Sequence, residues 1–242
     1  MIGTFKVLSL LLSYPEPEGQ AAARDCRAVV EAEGLVPARL RKGLFALIDE
    51  LADGDLYELQ ERYILLFDRT RSLSLHLFEH VHGESRDRGQ AMVDLMALYE
   101  RQGLRIDARE LPDYLPLFLE FLATRPLPEA RALLAEPLHV IAAIGERLKK
   151  RKSVYAAVFR VLEALADGKA EPEILAALLN ETEDDPNDLD ALDKVWEEEV
   201  VTFGPDKGMI APDGGCPAMR DSLARMDRPA SQPTDGKEPR HG

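Results

Sequence analysis

The residues with the most chemical potential lie between His76 and Leu95, where His76, Glu79, His80 and His82 stand among further acids and arginines. His76, Glu79 and His80 spell H-x-x-E-H, a spacing that some zinc peptidases use to hold metal on one helix face. If Leu73 to Val81 is helical, successive side chains turn by about a hundred degrees. Leu73, Leu77, Phe78 and Val81 then share one arc, and His76, Glu79 and His80 share the other. Two imidazoles with Glu79 acting on a bound water would be the chemistry of a zinc-dependent hydrolase. That site needs a third protein ligand; His82, Glu84 and distant acids are all available, and spacing selects none of them. The competing reading is a polar seam. Arg69, Arg71, Arg86 and Arg88 bracket the short segment, with Asp68, Glu79, Glu84 and Asp87 as partners for charge-assisted hydrogen bonds. Positive charge crowding a divalent ion favours the seam, so no metal is expected and the hydrolase stands as the alternative.

These residues must be positioned by helices, because almost every segment before residue 200 has helical periodicity. Pro37 can open a helix whose Leu40, Leu44, Leu47, Ile48 and Leu51 form one stripe, with Gly54 as its stop. Asp55, three residues before Glu58, resembles a capping-box start for a helix presenting Leu56, Leu59, Tyr63, Leu66 and Phe67. Further stripes are Met92, Leu95, Met96 and Tyr99, closed by Gly103; Leu115, Phe118, Leu119 and Leu122; Leu138, Ile141 and Leu148; and Tyr155, Val158, Phe159, Leu162 and Leu165, ended near Gly168. Shorter helices are expected around Ile174 to Leu179 and around Leu189 to Val201, the latter carrying Trp196. With no βαβ rhythm and no repeat, the expected class is all-α, a single-domain bundle of about ten helices. Ser72 to Leu77, SLSLHL, alternates like a strand for which the sequence offers no partner. Residues 1–203 are expected to form the domain and 204–242, rich in Gly, Pro and charge, a disordered tail.

Composition removes whole classes of function. With 30 Lys+Arg against 44 Asp+Glu the net charge is −14, which repels duplex nucleic acid and anionic membranes and suits a basic or apolar partner. Cys26 and Cys216 are far apart and in no C-x-x-C, which excludes a disulfide framework and cysteine-ligated zinc or iron–sulfur. Val7 to Leu12 is short for a signal segment, and no run reaches the roughly eighteen apolar residues of a membrane span. The chain is therefore expected to be cytoplasmic and not inserted in a membrane.

Two charged runs invite sharper readings. Lys149 to Lys152 could contact phosphate, although a basic run at a helix C-terminus also suits the helix macrodipole while solvated. Glu181 to Asp190 is an acid-rich loop that could steer a basic peptide. The glycines stand singly, so no phosphate loop or nucleophile elbow can be assembled. Tyr63, Phe67, Phe78 and Met92 belong to apolar stripes and are expected in the core, though aromatic and Met-rich surfaces also receive helices.

Four stretches carry a resemblance to a known family: Tyr63 to Arg69 (YILLFDR), Leu77 to Leu95 (LFEHVHGESRDRGQAMVDL), Glu110 to Pro116 (ELPDYLP) and Val195 to Glu199 (VWEEE). Over roughly the first two hundred residues the chain resembles the nitrate reductase assembly chaperones, also called delta subunits, within the wider group of chaperones for molybdenum redox enzymes. The resemblance implies a cytoplasmic all-helical protein that is not an enzyme and needs no cofactor of its own. Its partner would be the apo catalytic (alpha) subunit of nitrate reductase, bound through that subunit's N-terminal segment and kept competent for molybdenum cofactor and iron–sulfur insertion before membrane docking. The implied peptide-binding residues are Tyr63, Leu66, Phe67, Asp68 and Arg69, with His76, Phe78, Glu79, His80, His82, Glu84, Arg86, Asp87 and Arg88 beside them. Pro112, Asp113 and Tyr114 match the element treated as a hinge, where the family usually has histidine in place of Tyr114. A tyrosine there can still donate one hydrogen bond and pack its ring.

Overall fold

A computed structural model of the chain describes residues 1–82, 86–106 and 110–180. The expected helix at Leu189 to Val201 and the tail from residue 204 lie outside the described residues. Among those described, eleven α-helices and one isolated β-bridge make the protein all-α.

The short apolar run near the start is a core helix. α1 (Gly3–Leu12) buries Phe5, Val7, Leu8, Leu11 and Leu12 and lies between α2 (Pro17–Glu33) and α7 (Leu115–Ala123). The Ile2 amide donates to Ala123 O (2.7 Å) and the Ser9 hydroxyl to Pro116 O (2.8 Å), which fixes α1 along α7. α2 ends where Gly34 takes a left-handed φ of 65°, a conformation that costs glycine little. α3 (Ala38–Asp53) starts after Pro37 and stops at Gly54, with Leu44, Leu47, Ile48 and Leu51 buried, as its stripe requires.

Asp55 caps α4 (Leu56–Tyr63), accepting from the amides of Tyr57 (3.0 Å) and Glu58 (3.2 Å). The helix then widens into a π-turn over Ile64–Asp68, closed by the Arg69 amide on Ile64 O (2.9 Å). Tyr63 and Phe67 stay buried through this turn, while Leu66 is left half-buried.

The expected helix over Leu73 to Val81 does not form. A 3₁₀ turn (Arg71–Leu73) gives way to an extended strap, and α5 begins only at Glu79 (Glu79–His82). The alternating SLSLHL run finds a partner after all, in the loop before α7. His76 and Tyr114 form an antiparallel bridge, flanked by the Leu77 amide on Asp113 O (3.1 Å) and the Leu115 amide on Leu75 O (2.8 Å). Leu73, Leu75 and Leu77 are buried, whereas Val81, expected on the same apolar arc, is 53% exposed.

α6 (Arg86–Arg101) follows, then α7, α8 (Leu127–Ala135), α9 (Leu138–Lys150), α10 (Ala156–Leu165) and α11 (Pro172–Asn180). In α6 Tyr99 is buried and Leu95 and Leu98 are half-buried, but Met96, assigned to the apolar stripe, is 40% exposed. α9 is covered on most sides, and Gly145 lets α10 approach: a Cβ there would stand 3.0 Å from Phe159 Cβ. The buried Arg147 guanidinium donates to Ser72 O (2.9 Å) and to Leu178 O, so α9 anchors both the start of the strap and α11.

Candidate functional site

Asp113 organises the strap. Its carboxylate is fully buried, with Oδ2 accepting the Phe78 amide (3.0 Å) and Oδ1 facing His76 Nδ1 (3.3 Å). Burying a carboxylate is tolerable when its oxygens meet such donors. The hydrogen bond to Asp113 pushes the His76 imidazole above its ordinary value, against an opposing effect of burial. Next to it, the Tyr114 ring packs against His76 (centroids 5.4 Å), and the Tyr114 hydroxyl meets the Tyr63 hydroxyl at 2.9 Å. Tyr63 also donates to Leu12 O (2.9 Å), and Tyr99 donates to Pro112 O (2.8 Å). Pro112, Asp113 and Tyr114 are thus the fixed point where the strap, α1, α4 and α6 meet.

This geometry dissolves the H-x-x-E-H face. His76 is in the extended strap, whereas Glu79 opens α5 and His80 follows it, so the three do not share a helical surface. Glu79 accepts from Arg88 of α6 (3.1 Å), one pair of the expected polar seam, whereas His80 Nε2 donates to Ser74 O (2.8 Å) and His76 faces Asp113, contacts to a backbone carbonyl and a carboxylate rather than to an arginine. No group of three His, Cys, Asp or Glu able to hold a metal occurs among the described residues. The Cys26 thiol is raised to about 11 by burial, with Asp25 adding to the effect, so it is an unreactive core group.

The remaining candidates separate into core and surface. Tyr63 and Phe67 are 3% and 5% exposed and sit in an aromatic series that runs from the exposed Tyr14 to the buried Tyr155, so they support the strap from within and do not form a groove wall here. Asp68 and Arg69 are exposed just outside them. Burial pushes the Asp68 carboxyl up, His76 opposes that and Glu110 adds to it. Glu84 lies outside the described residues, as do the side chains of His82, Arg86 and Asp87.

The surface does carry a groove, of about 310 Å³. Leu77, Phe78 and Val81 form one wall, Leu95 and Leu98 of α6 another, and Phe118, Leu133, Pro137 and Val140 complete it. Among the described residues its ionisable lining consists of Glu136 and His139, at the junction of α8 and α9. Of the residues named from sequence for peptide binding whose side chains are described, Phe78 alone reaches it. Leu98, Leu133, Glu136, His139 and Val140 went unnoticed; the available signal was that α6 carries more apolar residues than one buried face needs. A concave, mostly apolar surface with a few polar groups at one end suits an amphipathic helix better than it suits bond-breaking chemistry.

No helix among the described residues is long and apolar enough to cross a membrane. The family model for the nitrate reductase delta subunit matches residues 33–160. The chain is 43% identical over 203 residues to the nitrate reductase molybdenum cofactor assembly chaperone NarJ of Escherichia coli K12, covering 84% of this chain and 85% of that one. The same protein in Escherichia coli O157:H7 matches with the same identity and coverage. Among solved structures, a chain from Archaeoglobus fulgidus described as a redox enzyme maturation protein shares the fold, with a TM-score of 0.50, 23% identity, and 67% of this chain and 91% of that one covered. With more than half its length matched by the family model and most of it aligned to close relatives, this chain belongs to the nitrate reductase delta subunit family.

Proposed function

We propose that this protein is a molybdenum cofactor assembly chaperone for a nitrate reductase, as its relatives are named, and that it acts at the step of cofactor insertion. It binds the apo catalytic subunit through that subunit's N-terminal segment, in the cytoplasm, and holds it open to cofactor and iron–sulfur insertion before membrane docking. The observation that carries this reading is the apolar groove with Glu136 at one end, which complements an amphipathic helix bearing basic residues. The polar seam below the groove fixes its wall: Asp113 holds the Phe78 amide, and Arg88 ties α5 to α6.

The test is calorimetric titration with a synthetic peptide copying the catalytic subunit's N-terminus. Saturable binding is expected, weakened at least about tenfold by Val81→Glu, which places a charge in the apolar wall while sparing the core. Tyr63→Phe should leave affinity unchanged, because Tyr63 acts from within the fold. A peptide that gives no heat and no competition, or equal binding to wild type and Val81→Glu, overturns the groove assignment. Co-purification of the catalytic subunit before cofactor loading and its loss afterwards tests the assembly role itself.

A further inference from the structure

A second hollow, of about 280 Å³, lies on another part of the surface, between α3 and the turn joining α9 to α10. Its floor is small: Gly43 and Ala46 of α3 face Ala156 and Ala157 of α10, and a Cβ on Gly43 would stand 3.3 Å from Ala157 Cβ. Its charged lining consists of Lys149, Lys152 and Arg160, all cationic, in a chain whose net charge is −14. Lys149 is paired with Glu146 at 2.9 Å, but neither Lys152 nor Arg160 forms a salt bridge among the described residues.

Lys152 also occupies a position that backbone physics reserves for another residue. Its amide donates to Lys149 O (3.0 Å) and the Ser153 amide to Leu148 O (2.9 Å), the paired bonds of a Schellman cap on α9. The left-handed residue of that cap is usually glycine, yet here it is lysine at φ 54°, the one non-glycine residue with positive φ among those described. Non-glycine residues held in such sparsely populated conformations cluster at ligand-binding and switch sites.

We propose that this hollow is a binding site for a phosphate-bearing small molecule, with the phosphate oxygens held by Lys152 and Arg160 and the rest of the ligand against Ala46, Val154 and Ala157. Arginine offers phosphate a planar fork of donors and lysine a mobile point charge, and the small apolar floor leaves room for an uncharged ligand body. Glu146 is engaged by Lys149, and the Glu163 carboxyl on α10 is pushed up by burial, with Glu146 adding to that and Arg160 and Lys149 opposing it. The assignment is independent of the chaperone reading, since the hollow shares no lining residue with the groove.

Inorganic pyrophosphate is the probe, titrated into the full chain at low ionic strength and followed by calorimetry. Saturable binding tighter than about 1 mM is expected, weakened about tenfold by Arg160→Gln and by Lys152→Gly. Lys152→Gly separates function from fold, because glycine suits the left-handed position: its thermal midpoint should be unchanged or higher while pyrophosphate affinity falls. Absent saturation, binding equal in wild type and both variants, or capture of anionic vesicles or an acidic peptide without pyrophosphate binding would overturn the site.

Discussion

At the scale of single residues, Asp113 is the group on which the strap depends most. Its carboxylate lies in the interior, where among the described residues the Phe78 amide and His76 offset the loss of water. Asp113→Asn removes the charge from both bonds and presents a second donor to the His76 side. A loss of about 2 kcal/mol is expected in urea unfolding. His76 makes this pH-dependent. The bond to Asp113 raises its folded-state value above the unfolded one, so its stabilisation is complete below the ordinary histidine value of about 6.5 and fades as pH climbs through the raised value. The stability gap between wild type and His76→Gln should therefore be widest below about pH 6.5 and narrow as pH climbs through the raised value. A gap that stays constant, or that opens toward alkaline pH, would show that the imidazolium is not the stabilising form.

At the scale of elements, helix ends decide how the apolar faces are held. α1 has no capping side chain of its own, and Glu33 at the end of α2 supplies one from a distance, accepting the amides of Gly3 (2.5 Å) and Thr4 (2.7 Å) and the Thr4 hydroxyl (2.6 Å). Burial alone would push the Glu33 carboxyl up; the hydroxyl and two amides of α1 outweigh it and bring it below its ordinary value. Glu33→Ala should cost about 1 kcal/mol at neutral pH. A depressed carboxylate stabilises above its unfolded value, so the difference should disappear as acid carries the pH down through the folded value. Equal losses at neutral and acid pH in urea titrations would remove the capping role. The helices themselves were legible, because Pro37, the Leu44 to Leu51 stripe, Gly54 and Asp55 act locally and at helical period. The strap was not: His76 finds Asp113 across 37 residues, and its alternation looked unpartnered because the partner is a loop rather than a strand. The H-x-x-E-H face failed for the same reason, since bonds to a distant loop drew His76 out of helical register. Tyr63 and Phe67 were correctly read as core by periodicity, whereas the groove joins Leu98, Leu133 and Val140 from three helices and exists only in tertiary structure.

At the scale of the whole molecule, charge and apolar surface do different work in capture. The chain carries a net charge of −14, so its field would draw the proposed basic segment inward before any contact forms. The groove proposed to receive the segment is lined mostly by apolar residues, with Glu136 and His139 at one end, so most of what would hold a bound helix is insensitive to salt. Encounter and residence should then separate. Raising sodium chloride from about 50 to 500 mM shortens the Debye length from roughly 14 to 4 Å and should slow association with the basic N-terminal peptide by about tenfold. Dissociation should change by less than about twofold, because the buried apolar contacts remain. Stopped-flow mixing resolves the two rates. Glu136→Gln extends the test: one rim charge is a small part of the field, so association should fall only slightly, while dissociation rises if Glu136 pairs with a basic residue of the bound helix. If salt instead accelerates dissociation as strongly as it slows association, the segment is held mainly by charge, and the acidic surface rather than the apolar groove is its seat.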